Sequence, residues 1–251
     1  MPNRSIRFAD VADFMKRHEL MEILDVHGVA LPLSSDEVSP VIWQALTDGS
    51  YEAKEARSVL KAIKPGDRVL ELGSGIGIIT SIIAGIEDVS VWAFEANPST
   101  AALAERVIKA NCRGNVVFSQ GLLTADEPSS YAFYVRKDLW MSSMDENQGP
   151  YEKRIEISSA NIDEFVAEQG ITALVMDIEG AERDLLGKAE LAGVERIFVE
   201  LHDHLYGLAG VRDIMQALTA KGYAYDPRGS RGPCVLFSRD DGPREYDPEV
   251  D

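Results

Sequence analysis

From Arg68 onward the chain alternates short, almost continuously apolar runs with stretches of helical periodicity, and few folds tolerate that alternation. The apolar runs are residues 69–72, 89–94, 116–118, 173–176, 196–201, 223–225 and 234–237. Between most of them lie residues 78–85, 100–111, 162–168, 182–189 and 211–221, where apolar side chains recur every three or four positions. Strands that are apolar on both faces need cover on both faces. A mostly parallel seven-stranded sheet with helices on each side is therefore expected. The last two runs flank Pro227-Arg228-Gly229 and predict an antiparallel C-terminal hairpin at the sheet edge.

One segment interrupts the pattern. After residue 118 the chain runs through Tyr131, Phe133 and Val135, a polar loop, and then Ile155 and Ile157. Period-two alternation on both sides predicts a β-hairpin insertion over about 124–158. Ahead of the sheet, residues 1–64 read as a helical extension. Ile6, Val11, Phe14, Met15, Leu20, Met21 and Ile23 fit helical spacing loosely, and Val41, Ile42, Leu46, Ala56, Val59, Leu60 and Ile63 fit it better after Ser39-Pro40. Lys64-Pro65-Gly66-Asp67 closes that extension, so the main domain is placed at 65–239. Residues 240–251 are acidic with two prolines and are expected to be a disordered tail.

Charge narrows the partners. Twenty-five basic against 42 acidic residues give a net −17, and such a surface repels phosphate backbones and anionic lipid. The expectation is a small-molecule acceptor, with no nucleic acid and no membrane as partner. Cys112 and Cys234 form no metal-binding pattern and read as small buried hydrophobes in a reducing compartment. The charged, amphipathic start is unlike a signal sequence, and no window is apolar enough to span a bilayer, so the expected location is cytoplasmic. The N-terminal helices are candidates for covering the site or forming a homodimer.

The first strand runs into Glu71-Leu72-Gly73-Ser74-Gly75-Ile76-Gly77, a glycine-rich turn whose backbone can approach a ligand closely. Dinucleotide enzymes space this turn G-x-G-x-x-G. Here Ile78 stands where the third such glycine belongs, which argues against NAD or FAD, and no phosphate-loop pattern is present. Glu71 can reach an ammonium group directly or through water. Glu95, twenty residues after Gly75 at the end of the second strand, can accept both hydroxyls of a ribose. Ala96 and Asn97 flank it and are grouped with the same site.

This combination resembles the class I, Rossmann-like S-adenosylmethionine methyltransferases. Gly49-Ser50-Tyr51-Glu52-Ala53-Lys54-Glu55, Phe94-Glu95-Ala96-Asn97-Pro98, Asn161-Ile162-Asp163-Glu164-Phe165 and Met176-Asp177-Ile178-Glu179-Gly180-Ala181-Glu182 resemble the FkbM family in particular. The likeness runs from about residue 49 to 202. It implies S-adenosylmethionine as cofactor, S-adenosylhomocysteine as product, and O-methylation of a hydroxyl on a sugar, polyketide or similar metabolite. By the same resemblance Gln120 and Gly121 lie where the adenine rests.

In an open parallel sheet, reacting groups gather at the carboxyl ends of strands. Asp177 and Glu179 fall there after the fourth strand, and Glu200, His202 and His204 after the fifth. If those strands continue, Asp177 and Glu179 point one way, as do Glu200, His202 and His204. His202 is the first choice for a general base, with Asp177 or Glu179 orienting it or holding the hydroxyl, and Asp177 also counted with the cofactor. Glu182 reads instead as the start of the next helix. The acid and histidine groups can hold a divalent metal, but no tight pattern makes that case and none is expected. For acceptor contacts the candidates are Tyr51, Trp140, Met141, Ser142, Ser143, Met144, Tyr206, Glu200 and His204. N-methylation, carboxyl methylation and a non-catalytic partner protein are the alternatives. The Pro-Pro motif of amide methylation is replaced here by Asp177-Ile178-Glu179-Gly180.

Overall fold

The first elements of the computed structural model are two short strands, β1 (Leu24–Val26) and β2 (Val29–Leu31), paired antiparallel across His27-Gly28. Both turn residues have positive φ, 55° and 83°, the geometry of the tightest hairpin turns. This corrects the helical reading of the segment after Ile23: a two-residue turn overrides a weak helical period. The structure describes residues 23–239, 242 and 243. The expected helices before residue 23 and most of the acidic tail lie outside the described residues.

Two helices follow. In α1 (Pro40–Asp48) the Ser39 hydroxyl accepts from the Ile42 amide and Gly49 closes the end at φ 72°. Helix α2 (Ala53–Ala62) then leads to the sheet. The main strands are β3 (Arg68–Leu72), β4 (Ser90–Glu95) and β5 (Val116–Gln120), separated by α3 (Ile78–Ala84) and α4 (Pro98–Asn111). Next come the insertion strands β6 (Leu122–Thr124), β7 (Ser130–Val135) and β8 (Lys153–Asn161). Helix α5 (Ile162–Gln169), β9 (Ala173–Met176), α6 (Glu182–Lys188), β10 (Arg196–Glu200), α7 (Asp203–Ala220), β11 (Tyr223–Arg231) and β12 (Cys234–Arg239) complete the chain.

The seven-stranded sheet has the order β11-β12-β10-β9-β3-β4-β5. Its pairs are parallel from β10 to β5, while β12 runs antiparallel between β10 and β11. The hairpin turn is Gly232-Pro233 rather than the expected 227–229, because Arg231 pairs with Cys234. Strand β11 passes through Pro227 with a register shift, which an edge strand tolerates. Alternate strand residues feed two cores. Leu70, Leu72, Leu174, Met176, Ile197 and Val199 pack with Ile162, Leu186, Ile214 and Leu218 of α5, α6 and α7. Val69, Ala173, Val175 and Phe198 pack with Val59 and Ile83 of α2 and α3 on the other face.

At the amino-terminal ends of the strands, Asp67 is buried against Arg196 and accepts from Thr172 Oγ1 at 2.8 Å. This pair fixes the sheet end opposite the site. The insertion strands form a separate sheet in the order β6-β8-β7. No described helix is long and apolar enough to cross a membrane.

Candidate active site

The turn after β3 brings the backbone very close to β9. A Cβ placed on Gly73 would lie 1.7 Å from the Asp177 carbonyl oxygen, and Gly73 sits at φ 80°, so glycine is required twice over. The Gly73 and Ser74 amides donate to the Phe94 carbonyl at 2.9 and 3.0 Å, tying the turn to the end of β4. There Glu95 accepts from the Gly75 amide at 3.0 Å and the Asn97 amide at 2.8 Å. Burial raises its carboxyl to about 7 against those hydrogen bonds.

A cavity of about 490 Å³ opens over the carboxyl ends of β3, β4, β5, β9 and β10. Of the residues expected from sequence, Tyr51, Gly73, Gly75, Glu95, Ala96, Gly121, Trp140, Ser142, Asp177, Glu179, Glu200, His202 and His204 line it, with Met141 and Met144. Others do not. Glu71 is buried behind the turn, accepts from Thr80 Oγ1, and is raised to about 8 by burial. Ser74 is buried, Gly77 packs toward Ala104 and Ile108 of α4, and Gln120 is exposed. Asn97 caps α4 through its side chain, and Ser143 Oγ accepts from Arg136 at 3.1 Å. The Tyr206 hydroxyl accepts from the His202 amide at 2.6 Å. These seven residues are taken up by internal bonds, packing or solvent.

The expected strand alternation at the reaction centre does not hold, because β9 ends at Met176 and β10 at Glu200. Glu179 instead sits at φ 52° and Gly180 at 102° in a tight turn that wraps Glu182, whose Oε1 accepts from the Ile178 and Gly180 amides at 3.1 and 3.2 Å. His202 is the residue that opens α7. Its Nδ1 is 3.0 Å from Glu182 Oε1, and its Nε2 is 3.5 Å from Asp177 Oδ1 and 3.4 Å from Glu179 Oε2. Burial disfavours the imidazolium, but the carboxylates, Glu182 foremost, outweigh it and raise His202 to about 9. Burial and the neighbouring carboxylates lift Asp177 well above the usual range and Glu179 to about 7.

Several residues of the site escaped the sequence reading. Glu52 and Glu55 line the cavity beside Tyr51, and burial, with Glu71 and Glu55 adding, raises Glu52 well above its usual range. From sequence, their segment stands out only through its aromatic, Tyr51. Arg136 is buried and holds the insertion loop through the carbonyls of Met141 and Asp145 at 3.2 and 2.7 Å. An arginine in a polar loop gave no signal of burial. Trp140, at the tip of that loop, stacks on Tyr51 with centroids 5.8 Å apart.

Eight carboxylates face the cavity, from Glu52, Glu55, Glu95, Asp126, Asp177, Glu179, Asp184 and Glu200, and no described Lys or Arg does. Such a wall suits a cation, and apolar Phe94, Leu122 and Leu123 line its other side. A glycine turn under the switch between β3 and β9, an acid ending β4, and a cavity over the parallel strand ends define a class I methyltransferase. The chain belongs to the FkbM methyltransferase family, whose domain matches residues 80–225 and which uses S-adenosylmethionine. No curated protein matches the chain. Among solved structures it is similar to Aeropyrum pernix fibrillarin in complex with natively bound S-adenosyl-L-methionine, at 13% identity over 74% of each chain and a TM-score of 0.42. M. jannaschii TYW2 in complex with AdoMet shares 13% identity over 85% of this chain and 84% of that one, with a TM-score of 0.44.

Proposed function

We propose that this protein transfers a methyl group to a hydroxyl of a small metabolite such as a sugar or polyketide. The observation that carries this reading is that Gly73, Gly75 and Glu95 share one cavity with Asp177, Glu179 and His202. S-Adenosylmethionine supplies a methyl group already activated on a sulfonium. Glu95 has lone pairs left to accept ribose hydroxyls, and Gly75 leaves the cavity open beside Glu52 and Tyr51. Asp177 and His202 hold the acceptor oxygen, and Glu179, whose carboxyl is raised only to about 7, takes its proton. Trp140 and Tyr51 offer flat apolar faces to the rest of the acceptor.

A second reading is favoured by the wall of carboxylates: an amine-bearing acceptor, methylated at nitrogen, matches that charge, whereas a carboxylate acceptor would be repelled. One experiment separates them. A labelled-methyl screen of sugar, polyketide and amine acceptors is expected to label hydroxyl compounds and to lose that label in His202→Ala. Label on amines alone would replace the reading by the second one. A His202→Ala enzyme with normal turnover and an unchanged pH profile would remove the imidazole from the chemistry.

A further inference from the structure

At the back of the cavity, Asp177, Glu182 and His202 can each place one donor atom within 4.8 Å of the others. The Glu182 side chain is 0% exposed and that of His202 6%. Asp177 Oδ1 and Glu182 Oε2 are shut off from solvent, and neither makes a hydrogen bond to any described residue. Leaving two such carboxylate oxygens unsatisfied in one place is costly. The imidazole serves only part of the cluster: its Nδ1 lies 3.0 Å from Glu182 Oε1, while its contacts to Asp177 and Glu179 are 3.5 and 3.4 Å, long for hydrogen bonds.

We propose that Asp177, Glu182 and His202 form a binding site for a divalent first-row cation. Two carboxylates and one imidazole suit ions that accept mixed oxygen and nitrogen ligands, of which manganese is the natural probe. Adjacent ligands of such an ion stand about 3 Å apart and opposite ones about 4 Å, so modest side-chain rotations complete the set. Glu179, 3.4 Å from His202 Nε2, stands ready as a further ligand. Since Asp177 and His202 also face the cavity, an ion there can bind an acceptor oxygen and acidify its proton. That role rests on the acceptor reading above, while the site itself does not. The other acidic group, Glu55, Glu200 and Cys234, is less suited, because the Cys234 thiol already donates to Glu55 at 3.0 Å.

The test uses the full chain, stripped with a chelator, dialysed and titrated with manganese alone, the free ion being read by electron paramagnetic resonance. One equivalent is expected to bind. Glu182→Gln keeps the oxygen that accepts from Ile178 and Gly180 but loses the charge, and it should weaken manganese about 10–100-fold. His202→Gln should do the same. Both variants should still bind S-adenosylhomocysteine by calorimetry, which shows that they fold. Absence of binding at millimolar manganese, or equal affinity in wild type and both variants, would overturn the site. So would a thiolate-to-cobalt band on loading with cobalt, which would place the ion on Cys234. Manganese binding without S-adenosylhomocysteine binding would instead count against the function proposed above and leave the site standing.

Discussion

Glu95 is a carboxyl with two backbone partners and an environment that raises it to about 7. Ligand hydroxyls donate to its ionised form, so binding below pH 7 must first expel a proton. The affinity for S-adenosylhomocysteine should therefore fall by up to about tenfold per pH unit below 7 and level off above it. Calorimetry in two buffers of different ionisation heat should show a proton released on binding at pH 6. Glu95→Ala should remove that pH dependence and cost about 1–3 kcal/mol of binding. Gly73 makes a harder demand. Gly73→Ala adds strain at positive φ to a clash with Asp177, and should lower stability by about 3 kcal/mol or more in denaturant unfolding. Much of this was legible from residue order alone: Gly73, Gly75 and Glu95 fall in one cavity, although Gly77 packs against α4 instead. The destination of Glu71 was not, since nothing in the sequence says that Thr80, one helical turn into α3, faces back toward it.

Among elements, the sheet strands and their helices were readable because burial on both faces imposes a continuous apolar pattern. The β1–β2 hairpin was hidden by three-residue strands, too short to show a period, and its real signal was His27-Gly28. The reaction centre was misjudged in geometry for a related reason: alternation holds only while a strand lasts, and β9 and β10 end before Glu179 and His202. The insertion was visible as a hairpin, yet its anchor was not. Arg136 donates to Tyr134, Met141, Ser143 and Asp145 from a buried position. Arg136→Ala should free the loop that carries Trp140. Amide exchange over residues 138–148 is expected to speed up while the β3 and β9 amides stay protected. Unchanged exchange in that loop would mean that Trp140 stacking on Tyr51 is enough to hold it.

Across the described residues the two ends of the sheet differ: a buried ion pair closes one, and buried acids crowd the other. Asp67 and Arg196 close one end, and Asp67→Ala leaves the buried Arg196 guanidinium with only Glu195, 3.5 Å away. It should cost about 3–5 kcal/mol in unfolding with little change in S-adenosylhomocysteine affinity. At the other end, burial raises Glu71 to about 8 and Glu95 to about 7. Between the ordinary carboxylate range and those values the folded chain holds protons that the unfolded chain has released. Stability of the free protein should therefore fall as pH rises from about 4.5 to 8, and His202, raised to about 9, carries the fall on to about pH 9, the slope following the proton difference. Thermal unfolding across that range checks the sign. Binding of S-adenosylhomocysteine, measured by calorimetry on the wild-type chain, tests the central claim most directly. One equivalent should bind, with affinity that weakens in Glu95→Ala; no heat at millimolar ligand would contradict the account.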